Sequence, residues 1–184
     1  MPRHILFVQG AGAGTHDQWD NKLVESLEHK LDKGDTICYP RMPNEGDPHY
    51  SDWKAALLKQ LDGLVDNAIL IGHSVGGTVL LHVLADAAPK FRPGALILIA
   101  PPFIGEGGWP SDDIKPRAEL AQSLPSGLPI LIFHGYDDQI VPPAHAQLYA
   151  EAIPGLTIHA LPHRNHQLSN DATEMAQAIR ALPT

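Results

Sequence analysis

The sequence has only one cysteine among its 184 residues, so no disulfide can form within the chain. This residue, Cys38, lies in a short apolar segment, where we expect a buried structural thiol. Basic residues are scarce as well: 13 lysines and arginines stand against 21 aspartates and glutamates, for a net charge of -8. A nucleic-acid-binding face needs positive charge against the phosphates, and the composition therefore argues against a nucleic-acid partner.

Long apolar runs are also absent. No segment approaches the ~20 apolar residues that a membrane-spanning helix requires. The first predicted strand begins at His4, which leaves no room for the charged, apolar and cleavage regions of a signal peptide. We therefore expect a cytoplasmic protein without a membrane partner. With 43% hydrophobic and 18% charged residues, the composition suits one globular domain over residues 1–184.

Short apolar segments alternate with amphipathic segments along the whole chain. The apolar segments predict six strands, at residues 4–8, 36–39, 68–72, 95–100, 130–134 and 157–161. Such alternation predicts an α/β fold, with a mainly parallel sheet of about six strands flanked by helices. Sheets of this kind bind ligands beyond the carboxyl ends of their strands, which is where we look for functional residues.

The intervening segments carry helical periodicity. Apolar side chains that recur every four residues predict one amphipathic helix over residues 17–31. The positions expected to face the core in this helix are Trp19, Leu23, Leu27 and Leu31. Ser51 is expected to cap the next helix, and Pro143 fits the first turn of a later one. The run Asp171-Ala-Thr-Glu174 has the spacing of a capping box and predicts the start of the last helix.

The most informative segment is Gly72-His-Ser-Val-Gly76, which follows a predicted strand and precedes a helical segment at residues 78–85. In a Gly-x-Ser-x-Gly turn the chain reverses so sharply that the serine backbone is strained and only glycine fits two residues to either side. The turn lifts the Ser74 hydroxyl above the edge of the sheet. The amide of Val75, at the positive end of the helix dipole, is then placed to hold an oxyanion. The alternative is a glycine-rich turn whose serine merely caps the helix.

A glycine-rich loop, Gln9-Gly-Ala-Gly-Ala-Gly-Thr15, follows the first strand. It is not a dinucleotide-binding fingerprint, because the sixth position counted from Gly10 is Thr15 rather than glycine. One interpretation is a loop beside Ser74 that offers a second backbone amide to an oxyanion, that of Ala11. The other interpretation is a plain turn between strand and helix.

Residues 101–127 differ in character from the rest of the chain. The segment begins rich in proline and glycine, lies between two strands, and has moderate helical character from residue 111 to residue 123. One interpretation is a small lid over the substrate pocket, with Phe103, Ile104 and Trp109 as acyl-pocket residues. The other is a packing loop with buried aromatic side chains.

A serine hydroxyl needs a base to act as a nucleophile at neutral pH, usually a histidine oriented by a carboxylate. Asp137 and Asp138 follow the fifth predicted strand, and His163 and His166 follow the sixth. With Ser74 after the third strand, the order along the chain is serine, aspartate, histidine, as this architecture requires. On this reasoning either aspartate and either histidine can complete the triad.

The chain resembles the α/β-hydrolases over nearly its full length. The segment His134-Gly-Tyr-Asp-Asp-Gln-Ile-Val-Pro142 is similar to the acid loop of that superfamily, His-Gly-x-x-Asp-x-x-Val-Pro, which puts the triad aspartate at Asp138. The superfamily's usual Gly-His corresponds here to Asn165-His166, and its His-Gly loop to Gln9-Gly10. The resemblance implies that Ser74 is the nucleophile and that Asp138 and His166 complete its triad.

The small size of the chain, the run Met42-Pro-Asn44 and the later Trp53 resemble the compact serine hydrolases related to retinoblastoma-binding protein nine. The retinoblastoma-type Leu-x-Cys-x-Glu binding motif is absent around Cys38.

Together these residues predict a serine hydrolase that cleaves a carboxylic ester through an acyl-enzyme, without metal or organic cofactor. The expected partner is a small-molecule ester or amide. His159, His163 and His166 do not suit zinc, because His159 lies in a predicted strand and Pro162 interrupts any common helix face. Two other functions fit the same residues: a binding protein on a hydrolase fold, and an acyltransferase or peptidase.

Overall fold

Six strands form one sheet in the computed structural model, which describes residues 2–183. In chain order the strands are β1 (His4–Val8), β2 (Thr36–Cys38), β3 (Ile69–His73), β4 (Ala95–Ile99), β5 (Ile130–Gly135) and β6 (Thr157–Leu161). The sheet order is β2-β1-β3-β4-β5-β6, and every neighbouring pair is parallel. The predicted α/β fold with a parallel six-stranded sheet is confirmed.

Helices cover both faces of this sheet. They are α1 (Asn21–Glu28), α2 (Tyr50–Leu61), α3 (Val75–Asp86), α4 (Leu120–Ser123), α5 (Ala144–Ala152) and α6 (Thr173–Ala181). Side chains of α1 and α6, such as Leu23 and Ile179, share one hydrophobic core. Side chains of α2, α3 and α5, such as Trp53, Leu80 and Tyr149, form the core on the other face. The central strands are covered on both sides, which explains why their sequences are apolar throughout.

The chain leaves β1 on one side to form β2 and returns on the other side of β1 as β3. The loops that follow β1 and β3 therefore diverge at the carboxyl ends of these strands. In open α/β sheets the resulting crevice is where ligands bind. Residues 9–15 and the turn at Ser74 both lie at this crevice.

The prediction of a single helix over residues 17–31 is wrong. A π-helical turn occupies Thr15–Asp20, and α1 begins only at Asn21. Each turn of a π-helix holds more residues than an α-helical turn, so the side-chain phase differs before and after it. As a result Trp19 is 53% exposed, whereas Asp20 is completely buried.

Cys38 is exposed, so the prediction of a buried thiol is also wrong. The residue ends β2, which is only three residues long and forms one edge of the sheet. An edge strand lacks a neighbour on one side, and this end of it leaves the thiol uncovered.

Two helix starts differ from their predictions. α2 follows His49, and Ser51 lies inside the helix rather than capping it. At α6 the Asp171 carboxylate accepts the N–H of Thr173 at 3.0 Å. The Glu174 carboxylate pairs with an arginine instead of returning to the Asp171 backbone, so the reciprocal half of the capping box is missing.

Between residues 101 and 127 the regular structure consists of the four-residue helix α4 and a single bridge between Ile104 and Trp109. The helical character predicted for residues 111–123 is confined to the last four. This segment amounts at most to a minimal lid. None of the helices within residues 2–183 is both long and apolar enough to cross a membrane.

Candidate active site

Ser74 occupies the sharp turn between β3 and α3. Its backbone has φ 52° and ψ -132°, a conformation that a residue with a side chain adopts only under strain. The turn is held by the Ser74 N–H, which donates to the carbonyl of Ile99 at 2.7 Å. The predicted strained turn between strand and helix is therefore confirmed.

The two glycines of the turn are required by close backbone approach. A Cβ atom on Gly72 would overlap the backbone of Gly77, and a Cβ atom on Gly76 would overlap the carbonyl of Gln9. The second contact matters for the site, because it packs the turn at Ser74 directly against the loop that follows β1.

Asp138 and His166 meet at the carboxyl ends of β5 and β6. His166 Nδ1 lies 2.8 Å from Asp138 Oδ2, and both residues are buried. Asp137 and His163, the other candidates, are exposed and take no part in this contact. The geometry thus selects one aspartate and one histidine from the two pairs that the sequence left open.

Asp138 is held from both sides of its carboxylate. Oδ1 accepts the backbone N–H groups of Ile140 and Val141 at 2.8 and 2.9 Å. Oδ2 lies 3.1 Å from Nε2 of the buried His134 as well as near His166. Burial alone would raise the pKa of Asp138, but the hydrogen bonds from the two histidines and the loop amides lower the pKa well below its usual value. The carboxylate is therefore ionised at neutral pH.

The contact with Asp138 also fixes the protonation of His166. Donation from Nδ1 leaves Nε2 as the unprotonated nitrogen of the neutral ring. Burial lowers the pKa of His166, the hydrogen bond to Asp138 opposes this, and the nearby His73 lowers the pKa further. The balance keeps the ring neutral near pH 7, so that it is able to accept a proton.

Ser74 and His166 line one cavity of about 330 Å³, together with residues 10–13 of the loop after β1. Within residues 2–183 no hydrogen bond joins the Ser74 hydroxyl to His166. Contacts of this kind commonly tighten only when substrate is bound. The structure therefore brings the three predicted side chains to one site and joins two of them directly.

Two backbone amides beside Ser74 have no acceptor among the described residues, those of Val75 and Ala11. Val75 is the first residue of α3, where the helix dipole favours negative charge. Ala11 follows Gly10, whose Cα region packs against the Ser74 side chain. Both amides belong to the positions predicted for an oxyanion hole.

A model of the alpha/beta hydrolase family matches residues 5–158. The chain belongs to this family. The match runs from β1 into β6, and it includes Ser74 and Asp138 but ends before His166. No curated protein matches the chain.

Solved structures of several alpha/beta hydrolases are similar to this one. The esterase domain of a Rhodothermus marinus protein is 23% identical, with 98% of this chain and 86% of that one covered and a TM-score of 0.67. A lidless α/β serine hydrolase from Xanthomonas campestris is 22% identical, with coverage of 100% and 84% and a TM-score of 0.64. A bromoperoxidase from Bacillus anthracis is 15% identical, with coverage of 98% and 91% and a TM-score of 0.68. At these identities the likeness establishes the fold, which carries more than one chemistry.

In this alpha/beta hydrolase the loop after β1 is tied to the loop at residues 40–48. The buried Gln9 side chain donates to Glu45 Oε2 at 2.5 Å and accepts the N–H of Met42 at 2.9 Å. The Glu45 carboxylate also accepts the N–H groups of Gly14 and His16. These bonds hold the glycine-rich loop in one conformation beside Ser74.

A second cavity, of about 180 Å³, lies on the Val75 side of the turn. Two of the three predicted acyl-pocket residues, Ile104 and Trp109, line it together with Thr78. Phe103 lies outside this lining and packs edge-on against Tyr149, with ring centroids 5.0 Å apart.

Sequence reasoning missed three buried residues near the site. Asp20 and His73 form a second carboxylate–imidazole contact directly behind Ser74, and His134 touches Asp138. The signal available for His73 was its place inside the Gly-x-Ser-x-Gly turn, whereas nothing local marked Asp20. Between residues 2 and 183, no group of three or more histidines, cysteines or acidic residues is arranged to hold a metal ion.

Proposed function

We propose that this protein is a serine hydrolase that cleaves a carboxylic ester with a small acyl group. The observation that carries the proposal is the buried contact of 2.8 Å between His166 and Asp138, beside a strained serine that lines the same cavity as His166. The partner is a small-molecule ester or amide, and the reaction draws on the protein's own side chains.

In the proposed reaction Ser74 Oγ bonds to the ester carbonyl carbon while its proton passes to Nε2 of His166. The carbonyl oxygen becomes an oxyanion between the amides of Val75 and Ala11, each worth about 3 kcal/mol in comparable sites. Asp138 keeps the imidazole in the required tautomer. His166 then protonates the leaving oxygen as the C–O bond breaks. Water adds to the acyl-enzyme by the same steps, which releases the carboxylic acid and restores Ser74.

The two cavities suggest where the alcohol part and the acyl part of the substrate bind. His166 must reach the leaving oxygen, so we assign the alcohol part to the 330 Å³ cavity that His166 lines. The acyl part then lies on the Val75 side, in the 180 Å³ cavity with Ile104 and Trp109, whose volume suits a short chain. Trp19 forms part of the alcohol side and is 53% exposed there, which favours an apolar or aromatic alcohol.

The test is intact mass after treatment with a fluorophosphonate probe, combined with hydrolysis of p-nitrophenyl acetate. Wild type should gain one adduct and Ser74→Ala none, with turnover of Ser74→Ala reduced about a million-fold. Ser51→Ala, which removes an exposed serine of α2, is the matched control and should behave as wild type.

Two outcomes would contradict the proposal. A folded wild type that gains no adduct would favour a binding protein on this fold. An adduct without hydrolysis of esters of any chain length, but with acyl transfer or amide cleavage, would favour an acyltransferase or a peptidase.

A further inference from the structure

His73 directly precedes Ser74 and is 1% exposed. Its Nδ1 lies 2.8 Å from Oδ2 of Asp20, and its Nε2 lies 3.1 Å from the backbone carbonyl oxygen of His166. The rings of His73 and His166 are 4.8 Å apart. The residue thus touches the backbone of the proposed base on one side and a buried carboxylate on the other.

Both ring nitrogens of His73 face oxygen atoms that only accept hydrogen bonds. A neutral imidazole has one N–H and satisfies one such acceptor, whereas the imidazolium satisfies both. The neighbouring carboxylate of Asp20 supplies the balancing charge. Burial lowers the pKa of His73, but the charge and the hydrogen bond of Asp20 outweigh burial and raise the pKa above its ordinary value. The two acceptor contacts and the neighbouring carboxylate thus favour the imidazolium form of His73.

Asp20 extends the same network to the loop after β1. Its Oδ2 accepts the N–H of Gly10 at 2.7 Å in addition to the His73 contact. The carboxylate reaches this position because the π-helical turn Thr15–Asp20 directs Asp20 inward. Turns of this type are often found at functional sites. The network joins three residues that lie at the proposed reaction. Gly10 precedes Ala11 of the oxyanion loop, His73 precedes Ser74, and His166 is the proposed base.

We propose that Asp20 and His73 are a charged positioning pair for hydrolysis at Ser74. The pair holds the oxyanion loop, the serine turn and the backbone of His166 in one arrangement, and the cation on His73 opposes a second positive charge on His166. This inference rests on the proposed function of Ser74, His166 and Asp138.

The groups that face His166 decide the expected pH effect. They are His73 from β3, Asp20 from the π-helical turn, and Asp138 from the loop after β5, with His134 of β5 behind Asp138. Among them His73 is the group that works against protonation of His166. Removing its charge should therefore make His166 easier to protonate.

The first test is the pH profile of kcat/KM for Asp20→Asn, which keeps the shape of the side chain. The amide oxygen still accepts from Gly10 and from Nδ1 of His73, but a neutral His73 then has no proton on Nε2 for the His166 carbonyl. The variant removes two charges, and that of His73 lowers the pKa of His166 more than that of Asp20 raises it, so we expect the acid limb of the profile to move to higher pH. A purely structural role would lower activity without moving this limb. The control is Asp17→Asn, an exposed aspartate of the same turn.

The second test needs no variant. Nitrogen NMR of the imidazoles in wild type at pH 7.5 should find His73 with both nitrogens protonated and His166 with one. A neutral His73 would overturn the inference, as would an Asp20→Asn profile identical to that of wild type.

Labelling by the fluorophosphonate probe distinguishes failure of the positioning pair from failure of the proposed hydrolase. An unlabelled wild type contradicts the hydrolase, whereas a labelled Asp20→Asn with an unmoved acid limb contradicts only the positioning pair.

Discussion

Two Asp–His pairs lie side by side in this molecule, and they have the same separation of 2.8 Å between carboxylate and imidazole. In the Asp138–His166 pair, the ring makes one hydrogen bond, and its other nitrogen has no partner among residues 2–183. In the Asp20–His73 pair, the second nitrogen meets the His166 carbonyl at 3.1 Å. The group that faces the second nitrogen thus decides between a neutral base and a buried cation. Residue type and the distance to the carboxylate are the same in both pairs, so they cannot explain this difference in charge.

The largest difference between the pairs should appear in turnover. In Asp138→Asn the amide oxygen keeps the backbone N–H groups of Ile140 and Val141, so an NH2 group faces His166 and favours the wrong tautomer, and we expect kcat to fall about 10⁴-fold. Asp20→Asn leaves Asp138 and the triad hydrogen bond in place and should cost far less. Steady-state hydrolysis of p-nitrophenyl acetate measures both.

Asp137→Asn is the matched control for the first of these variants, because Asp137 is the exposed neighbour of Asp138. It should keep wild-type turnover. Equal losses in Asp137→Asn and Asp138→Asn would contradict the assignment of the acid.

For stability we expect the opposite ranking: disrupting the Asp20–His73 pair should lower the unfolding free energy more than disrupting the Asp138–His166 pair. Asp20→Ala removes the counter-charge of the completely buried His73, which then becomes neutral, and leaves the N–H of Gly10 without its acceptor; each buried group left unpaired costs about 1–3 kcal/mol of unfolding free energy. His166→Ala leaves Asp138 bound by two backbone N–H groups and His134, and should cost only about 1 kcal/mol. Urea unfolding of both variants tests this, and a larger cost for His166→Ala would reverse the comparison.

The unfolding free energy should change with pH in opposite directions for the two pairs. The folded pKa of His73 lies above 6.5, so its contribution is complete below pH 6.5 and is lost as pH rises through the folded value. The folded pKa of His166 lies below 6.5, so stability is lost as pH falls from 6.5 through that value.

Unfolding free energies measured from pH 5 to pH 9 would resolve the two contributions. Asp20→Asn should flatten the decline above pH 6.5, and His166→Ala the decline below it, each by up to about 1.4 kcal/mol per pH unit. Parallel profiles for wild type and Asp20→Asn above pH 6.5 would mean that His73 carries no charge.

The two pairs also differ in how far the sequence could predict them. Ser74, Asp138 and His166 each follow a strand whose apolar run is visible in the sequence, and parallel strands bring their carboxyl ends to one edge. Asp20 instead depends on a π-helical turn, and the four-residue repeat from Trp19 onward suggested a regular helix. Its partner lies 53 positions away, and no local pattern records such a contact.

The smallest expected effect concerns the cavity that His166 shares with Ser74. Trp19 is exposed at this cavity because the same π-helical turn that buries Asp20 directs its neighbour outward. If the alcohol part of the substrate lies there, Trp19→Ala should raise KM for 2-naphthyl acetate several-fold, worth about 1 kcal/mol, and leave KM for methyl acetate nearly unchanged. The kcat values should stay close to wild type, since the side chain touches no group of either pair. An equal rise in KM for both esters would place the aromatic alcohol elsewhere and leave the exposure of Trp19 as a consequence of burying Asp20.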